Sequence, residues 1–315
     1  MPAMPITDTD HAFMSRALQL AARGLYTTDP NPRVGCVIVR GGEIVGEGFH
    51  VRAGEPHAEV HALRAAGERV AGATVYVTLE PCSHHGRTGP CADALVATQS
   101  ARVVVAMQDP NPRVSGNGIA RLRAAGIVVD TGVLEAEAQA LNPGFVSRMS
   151  RGRPFVRVKL AMSLDGRTAM ASGESKWITG PEAREDVQRL RARSGAVLTG
   201  IGTLLADNPA LTVRPEDWRL GTYDHEWVRQ PLRILLDRDL RAEPEAALFA
   251  GGGEVLVVAE GRVLASPAGG RRAAALRERG VEVIGLAGLD GAETGSGHPI
   301  DLAALLSELA LREVN

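Results

Sequence analysis

His57 and Glu59 lie two residues apart in Pro56-His57-Ala58-Glu59, and Cys82 and Cys91 close the two ends of the stretch 82–91. One imidazole and two thiolates form a donor set that suits zinc and leaves one of its four tetrahedral positions to water. Zinc lowers the pKa of such a water towards ~7, and a carboxylate beside it can carry the protons. Two thiolates offset most of the metal charge, so a separate proton carrier is needed, and Glu59 is the candidate. The chemistry expected of this grouping is hydrolytic removal of an amino group from a heterocycle.

Rival readings use the same residues. A structural zinc site needs a fourth protein ligand, which His50, His84 or His85 can supply; the chain would then be a non-catalytic, zinc-stabilised binding module. A zinc-protease helix reads His-Glu-x-x-His, whereas the order here is His57-Ala58-Glu59-Val60-His61, and that reading leaves the cysteines unexplained. A nucleic-acid deaminase requires a basic groove. The usual deaminase spacing is C-x-x-C, and the longer interval between Cys82 and Cys91 narrows the type of deaminase.

The elements that must position these groups follow from periodicity. Thr9 or Asp10 can cap a helix running to Gly24. Residues 34–39 and 44–48 read as a hairpin, 57–66 as a helix closed by Gly67, and 74–78 and 102–107 as strands. A helix near 118–125 and a strand 127–130 follow. His57 and Glu59 fall in a first helical turn, and Cys91 after Pro90 at another helix start, where a thiolate is favoured. Strands alternating with helices indicate a layered α/β domain over 1–150. The polar, basic stretch 148–154 reads as a linker. A second α/β series over 151–315 has strands at 155–162, 196–199, 232–237, 254–259 and 281–285, and helices at 181–193, 271–279 and 301–311. Residues 214–231 read as a surface insertion. Asp29-Pro30-Asn31-Pro32-Arg33-Val34 recurs at 109–114, in both places as turn-favouring residues.

A chain of 315 residues with a net charge of −2 suggests two domains and no electrostatic demand for nucleic acid or an anionic membrane. Lys159 and Lys176 are the only lysines, and there is no Lys/Arg-rich block. No apolar run approaches the ~20 residues of a membrane helix, and no secretory signal is visible. Three cysteines, Cys36 among them in a strand, point to a cytoplasmic chain rather than a disulfide framework.

The runs 31–39, 46–50, 57–59 and 80–91 together closely resemble the bifunctional riboflavin-biosynthesis deaminase/reductase family. The resemblance implies a cytidine-deaminase-like three-layer domain followed by a dihydrofolate-reductase-like α/β domain. The first would deaminate a diaminopyrimidinone ribosylamine phosphate, and the second would reduce its ribosyl group to ribityl with NADPH. It implies His57, Cys82 and Cys91 as zinc ligands, Glu59 as the proton carrier, and Asn31 and His50 at the pyrimidine; Arg87 in the loop 84–88 is a candidate for the substrate phosphate. In the second domain 159–166, 175–179 and 202–214 carry the resemblance. There it implies Ala161, Trp177, Thr203 and Asp207 as contacts for NADP, and Ser175, Arg191, Leu211 and Arg214 for the reductase substrate. The family pattern continues past a segment like 311–315 with a strand, an acidic substrate ligand and a Gly-rich loop. By that likeness the reductase half is expected to lack its C-terminal strands and to bind NADPH weakly. The substrate is a small molecule, with no membrane or nucleic acid implied, and a homo-oligomer is left open.

Overall fold

The computed structural model describes residues 5–84, 89–214, 228–287 and 300–315. The chain divides into two compact units, Met1–Phe155 with Asn315, and Val156–Val314. The first contains α1 (Asp8–Ala22), β1 (Gly35–Arg40), β2 (Glu43–Phe49), α2 (Ala58–Ala66), β3 (Thr74–Leu79), α3 (Cys91–Ala97), β4 (Arg102–Met107), α4 (Asn117–Ala124), β5 (Val128–Thr131), α5 (Glu135–Leu141) and α6 (Pro143–Arg151). The second contains α7 (Pro181–Ala192), β6 (Ala196–Gly200), α8 (Ile201–Asp207), β7 (Leu232–Leu236), β8 (Val255–Glu260), α9 (Gly261–Ala265), α10 (Pro267–Glu278), β9 (Glu282–Leu286) and α11 (Leu302–Leu311).

In the first unit five strands run in the order β2-β1-β3-β4-β5. β1 is antiparallel to β2 and β3, and β3, β4 and β5 are parallel. The period-2 alternation of side chains divides each central strand between two cores. Ile38, Val75, Val77, Val103 and Val105 pack with Ala58, Ala62, Leu95 and Leu122 of α2, α3 and α4. Val37, Tyr76, Val104 and Ala106 pack with Met14, Ala17, Ala138 and Phe145 of α1, α5 and α6 on the opposite face. These are the three layers expected of a deaminase-like fold.

The second unit has a parallel sheet in the order β6-β7-β8-β9. Leu235, Val257 and Val283 pack with Leu204, Ala273 and Leu276 from α8 and α10. Ile234, Leu256 and Val258 pack with Leu305 and Leu309 of α11 on the other face. Near-continuous apolar strands such as Val255–Glu260 are what a sheet covered on both faces requires. Arg233 of β7 is fully buried. It donates to the carbonyls of Ala210, Leu248, Ala250, Gly252 and Gly253 at 2.6–3.4 Å. The main chain of the loop before β8 thus takes up this cation.

Several expectations are corrected. Thr7, not Thr9 or Asp10, caps α1, in a reciprocal capping box with Asp10. The expected linker 148–154 is helical through Arg151, because α6 is amphipathic and buries Phe145 while Arg151 stays exposed. Residues 155–162 form no strand, although their apolar residues alternate. Val156, Val158 and Leu160 are exposed, and no ladder partner occurs for this segment among the described residues; a strand exists only through such pairing. α10 begins at Pro267 under a Ser266 cap, earlier than 271. Most of the expected insertion 214–231 lies outside the described residues.

Asp10 links α1 to the sheet. Arg102 donates from Nη1 to Asp10 at 2.6 Å and from Nε to Asp130 at 2.7 Å, and the Tyr76 hydroxyl donates to Asp10 at 2.8 Å. All three charged groups are buried. Burial pushes the Asp10 carboxyl up, but the Arg102 guanidinium, with Thr7 and Tyr76, more than reverses this and holds it well below the usual carboxylate range. In the unfolded chain Asp10 takes up its proton near pH ~3.9, and in the folded chain only at lower pH. The unfolded state therefore binds more protons as pH falls below about 4, and the folded state loses this stabilisation there. Asp10→Asn is expected to cost about 3–5 kcal/mol at neutral pH by leaving Arg102 short of a partner. Denaturant titrations from pH 7 to pH 2 should show a shallower acid decline in the variant; equal slopes would remove Asp10 from this role.

Candidate functional site

Two helix starts and one strand end meet at the site. His57 is the N-cap of α2, and Glu59 lies in the first turn, 3% exposed. Cys91 is the first residue of α3, with Pro90 at its N-cap, and is buried. Cys82 lies on irregular backbone beyond the end of β3. His57 Nδ1 is 3.6 Å from Cys82 Sγ and 3.4 Å from Cys91 Sγ. The three donor atoms lie within 4.8 Å of one another. Zinc–sulfur and zinc–nitrogen bonds of ~2.3 and ~2.0 Å at a tetrahedral angle place nitrogen about 3.5 Å from sulfur, so the spacing and donor types fit zinc. His50, His61 and His84 do not join this group, which is the one cluster of metal-ligating side chains among the described residues. Among the described residues no fourth protein ligand joins the three.

The electrostatics set the two thiols apart. Hydrogen bonding from the Cys91 thiol, then His57 and the Cys91 N–H, pulls the Cys82 thiol well below the usual range; the N–H donates to Cys82 Sγ at 3.3 Å. The same shared proton, together with burial, pushes Cys91 up. The hydrogen bond with Cys82 raises His57. Burial raises Glu59 despite the opposing pull of His57. A carboxyl held above its usual range, in contact with the ligand group, is suited to taking and returning a proton.

Asn31 and His50 are adjacent to this group. Asn31 Nδ2 lies 3.1 Å from His50 Nε2, and His50 Nδ1 lies 3.1 Å from the Pro56 carbonyl. A carbonyl partner at Nδ1 requires the proton there, so Nε2 accepts from the Asn31 amide. Asn31 Oδ1 is then the end of that amide left to accept. The His50 and His57 rings meet edge to face, 5.6 Å apart. Asp109, in the second copy of the repeated hexapeptide, was legible only as a turn residue. Burial pushes it up to about 6, within electrostatic reach of Glu80, His84 and Cys82. The candidates His85 and Arg87 lie outside the described residues.

The second-unit residues are distributed more widely. Arg191 of α7 donates to the Thr212 carbonyl at 3.2 Å, and Gln188 of the same helix accepts from the Arg214 N–H at 3.1 Å. Arg191, Leu211 and Arg214 are thereby neighbours. Thr203 and Asp207 lie one turn apart on α8, both exposed. Trp177 is 71% exposed, with the Arg184 guanidinium 4.7 Å over its ring. Ala161 and Ser175 lie on irregular backbone. A cavity of about 610 Å³ is lined by Ser163, Arg167, Ala169, Met170, Ala171 and Ile178, and includes none of the expected contacts.

Known proteins resemble both halves. Residues 7–107 match the model of the cytidine and deoxycytidylate deaminase zinc-binding region, and residues 154–315 match that of the RibD C-terminal domain. The riboflavin biosynthesis protein RibD of Escherichia coli (strain K12) is 60% identical over 248 residues, covering 78% of this chain and 68% of that protein. Its counterpart in Aquifex aeolicus (strain VF5) is 45% identical over 288 residues, 90% of this chain and 76% of that one. The solved structure of Acinetobacter baumannii RibD, form 1, superposes with a TM-score of 0.85 at 48% identity, over 97% of this chain and 78% of that one. A deaminase/reductase from Thermotoga maritima gives 0.78 at 37% identity, over 97% and 79%.

The approach of α2 to the sheet sets where His57 and Glu59 stand. A Cβ on Gly48 would run into the Ala58 carbonyl and come within 2.6 Å of the Ala62 nitrogen. Gly48→Ala is expected to cost about 1–3 kcal/mol and to push the first turn of α2 outward. Zinc content after purification should fall along with the melting temperature. Wild-type values of both would show that the helix can yield without moving the site.

Proposed function

The chain belongs to the bifunctional riboflavin-biosynthesis deaminase/reductase family, and on that premise we propose that His57, Cys82 and Cys91 hold the zinc of its deaminase half and that Glu59 is the proton carrier. Zinc and NADPH are the cofactors of the two halves, and the substrate is a small molecule. The observation that carries the assignment is the convergence of three soft donors beside one buried carboxyl.

Bound zinc supplies the Lewis acidity that makes water a nucleophile near neutral pH. Glu59 takes a proton from the attacking water as oxygen bonds to the amino-bearing carbon. It passes that proton to the ring nitrogen, then takes the remaining proton from the hydroxyl now bonded to carbon and gives it to the amino group, which leaves as ammonia as the carbonyl forms and the carbon–nitrogen bond breaks. Asn31 Oδ1 accepts from a ring N–H and orients the pyrimidine. His50 holds the Asn31 amide through Nε2, and the Pro56 carbonyl holds His50. The substrate is a free diaminopyrimidinone ribosylamine phosphate; a net charge of −2 supplies no overall attraction for a polynucleotide.

In the reductase half NADPH supplies hydride when bound. Thr203 and Asp207 offer a hydroxyl and a carboxylate on one exposed face of α8, a donor–acceptor pair that fits ribose hydroxyls, with Ala161 and Trp177 completing the contacts. Ser175, Arg191, Leu211 and Arg214 hold the ribosyl phosphate, where the planar guanidinium fork matches phosphate oxygens. Among the described residues no helix is long and apolar enough to cross a membrane. A cytoplasmic site of action accords with membership of a biosynthetic family, and a homo-oligomer is compatible with it.

Glu59→Gln keeps the shape of the carboxyl and removes its titration. Expected are wild-type zinc content and a loss of about 10²–10⁴-fold in ammonia release from the pyrimidine substrate. Retained turnover would eliminate Glu59 as the proton carrier. Ammonia release from single-stranded oligonucleotides, and not from the mononucleotide, would eliminate the substrate.

A further inference from the structure

Cys82 has no regular secondary structure to hold it. The β3–β4 ladder ends at Leu79, and the Glu80 N–H makes one further bond to the Met107 carbonyl at 3.0 Å. On the α3 side the segment is held by the Ala92 N–H, which donates to the Cys82 carbonyl at 3.1 Å, and by the Cys91 N–H on Sγ. On the other side the Glu80 carboxylate is the anchor. It is 3% exposed. Oε1 accepts from the N–H groups of Gly118 at 2.8 Å and Ile119 at 3.2 Å, and Oε2 from those of Gly116 at 2.9 Å and Asp109 at 3.1 Å.

A carboxylate offers about four acceptor positions, and here main-chain donors take them all. α4 has Gly116 at its N-cap, with φ +82° and no side-chain cap of its own. Glu80 therefore satisfies orphan N–H groups of that helix from just beyond the end of β3, where the helix dipole also favours a negative charge. A second contact reinforces the first: a Cβ on Gly118 would collide with the Pro81 carbonyl, so α4 rests directly on the peptide preceding Cys82.

We propose that Glu80 is a positioning residue that sets the Cys82 thiolate beside His57 and Cys91, and so governs how firmly zinc is retained; this rests on the assignment of Cys82 as a zinc ligand. Glutamine at this position would keep one acceptor oxygen and turn an NH₂ towards two N–H donors. The Cys82 segment would then lose its anchor on the α4 side while the core packing stayed in place.

The test is the rate at which zinc passes from the full chain to a chromogenic chelator, with kcat and KM for ammonia release measured in parallel. E80Q should release zinc about 10–100-fold faster than wild type, the usual effect of removing a ligand-orienting partner, with kcat lowered and KM little changed. L122A, which opens a cavity under the same helix, serves as the structural control; Leu122 is fully buried. It should lower the melting temperature and release zinc at the wild-type rate. E80Q releasing zinc no faster than L122A would overturn the proposal. Should E80Q fail to fold, E80D carries the same comparison, since its shorter carboxylate cannot reach both pairs of donors. C82S separates the two levels: if C82S binds zinc as wild type does, the ligand assignment itself falls. If C82S loses zinc while E80Q retains it, only the positioning role falls.

Discussion

The seating of α2 on the antiparallel edge of the first sheet is the constraint on which the site depends. Gly46 and Gly48 face the helix so closely that any side chain would meet its backbone. That contact places the N-cap imidazole and the first-turn carboxyl at the end of the sheet where β3 delivers Cys82 and α3 begins with Cys91. Nitrogen and two sulfurs then converge with the spacing zinc requires. The Cys91 N–H at the start of α3 donates to Cys82 Sγ, so the same geometry that builds the site also helps lower the Cys82 thiol.

Charge inside the first unit is managed by two strategies. Asp10 and Asp130 are buried as ions because Arg102 bridges them, a paired solution that ties α1 across the sheet. Glu80 is buried with four main-chain donors about it. Glu59 has neither arrangement, and its carboxyl is accordingly raised by burial. These four buried carboxyls thus differ in their partners: Asp10, Asp130 and Glu80 are held by donors that fix the fold, and Glu59 is not.

Much of this was legible in the sequence. The cluster of His57, Cys82 and Cys91 beside Glu59 could be singled out because these types and spacing have few other uses, and the strands because alternation or continuous apolar runs match one or two covered faces. Thr7, Asp8, Thr9 and Asp10 are four acceptable caps in a row, so Thr7 could be chosen only by its reciprocal bond with Asp10. Residues 148–151 looked like a linker because the exposed face of an amphipathic helix has the composition of a loop. Residues 155–162 carry the alternation of a strand, but alternation states only compatibility with a sheet. The ladder is a property of two segments, and no pattern in one of them records it. Glu80 is part of a recognisable run, yet its role depends on N–H groups 29–39 residues away along the chain.

The Arg233 guanidinium satisfies five carbonyls of the main chain. Because it reads backbone and ignores side chains, the connection it gathers is free to drift in amino-acid identity while keeping its path. The burden of inheritance shifts to one codon in β7. A lysine there, with a single compact ammonium, has no fork to reach carbonyls on both sides, so related chains should vary around this position far more readily than at it.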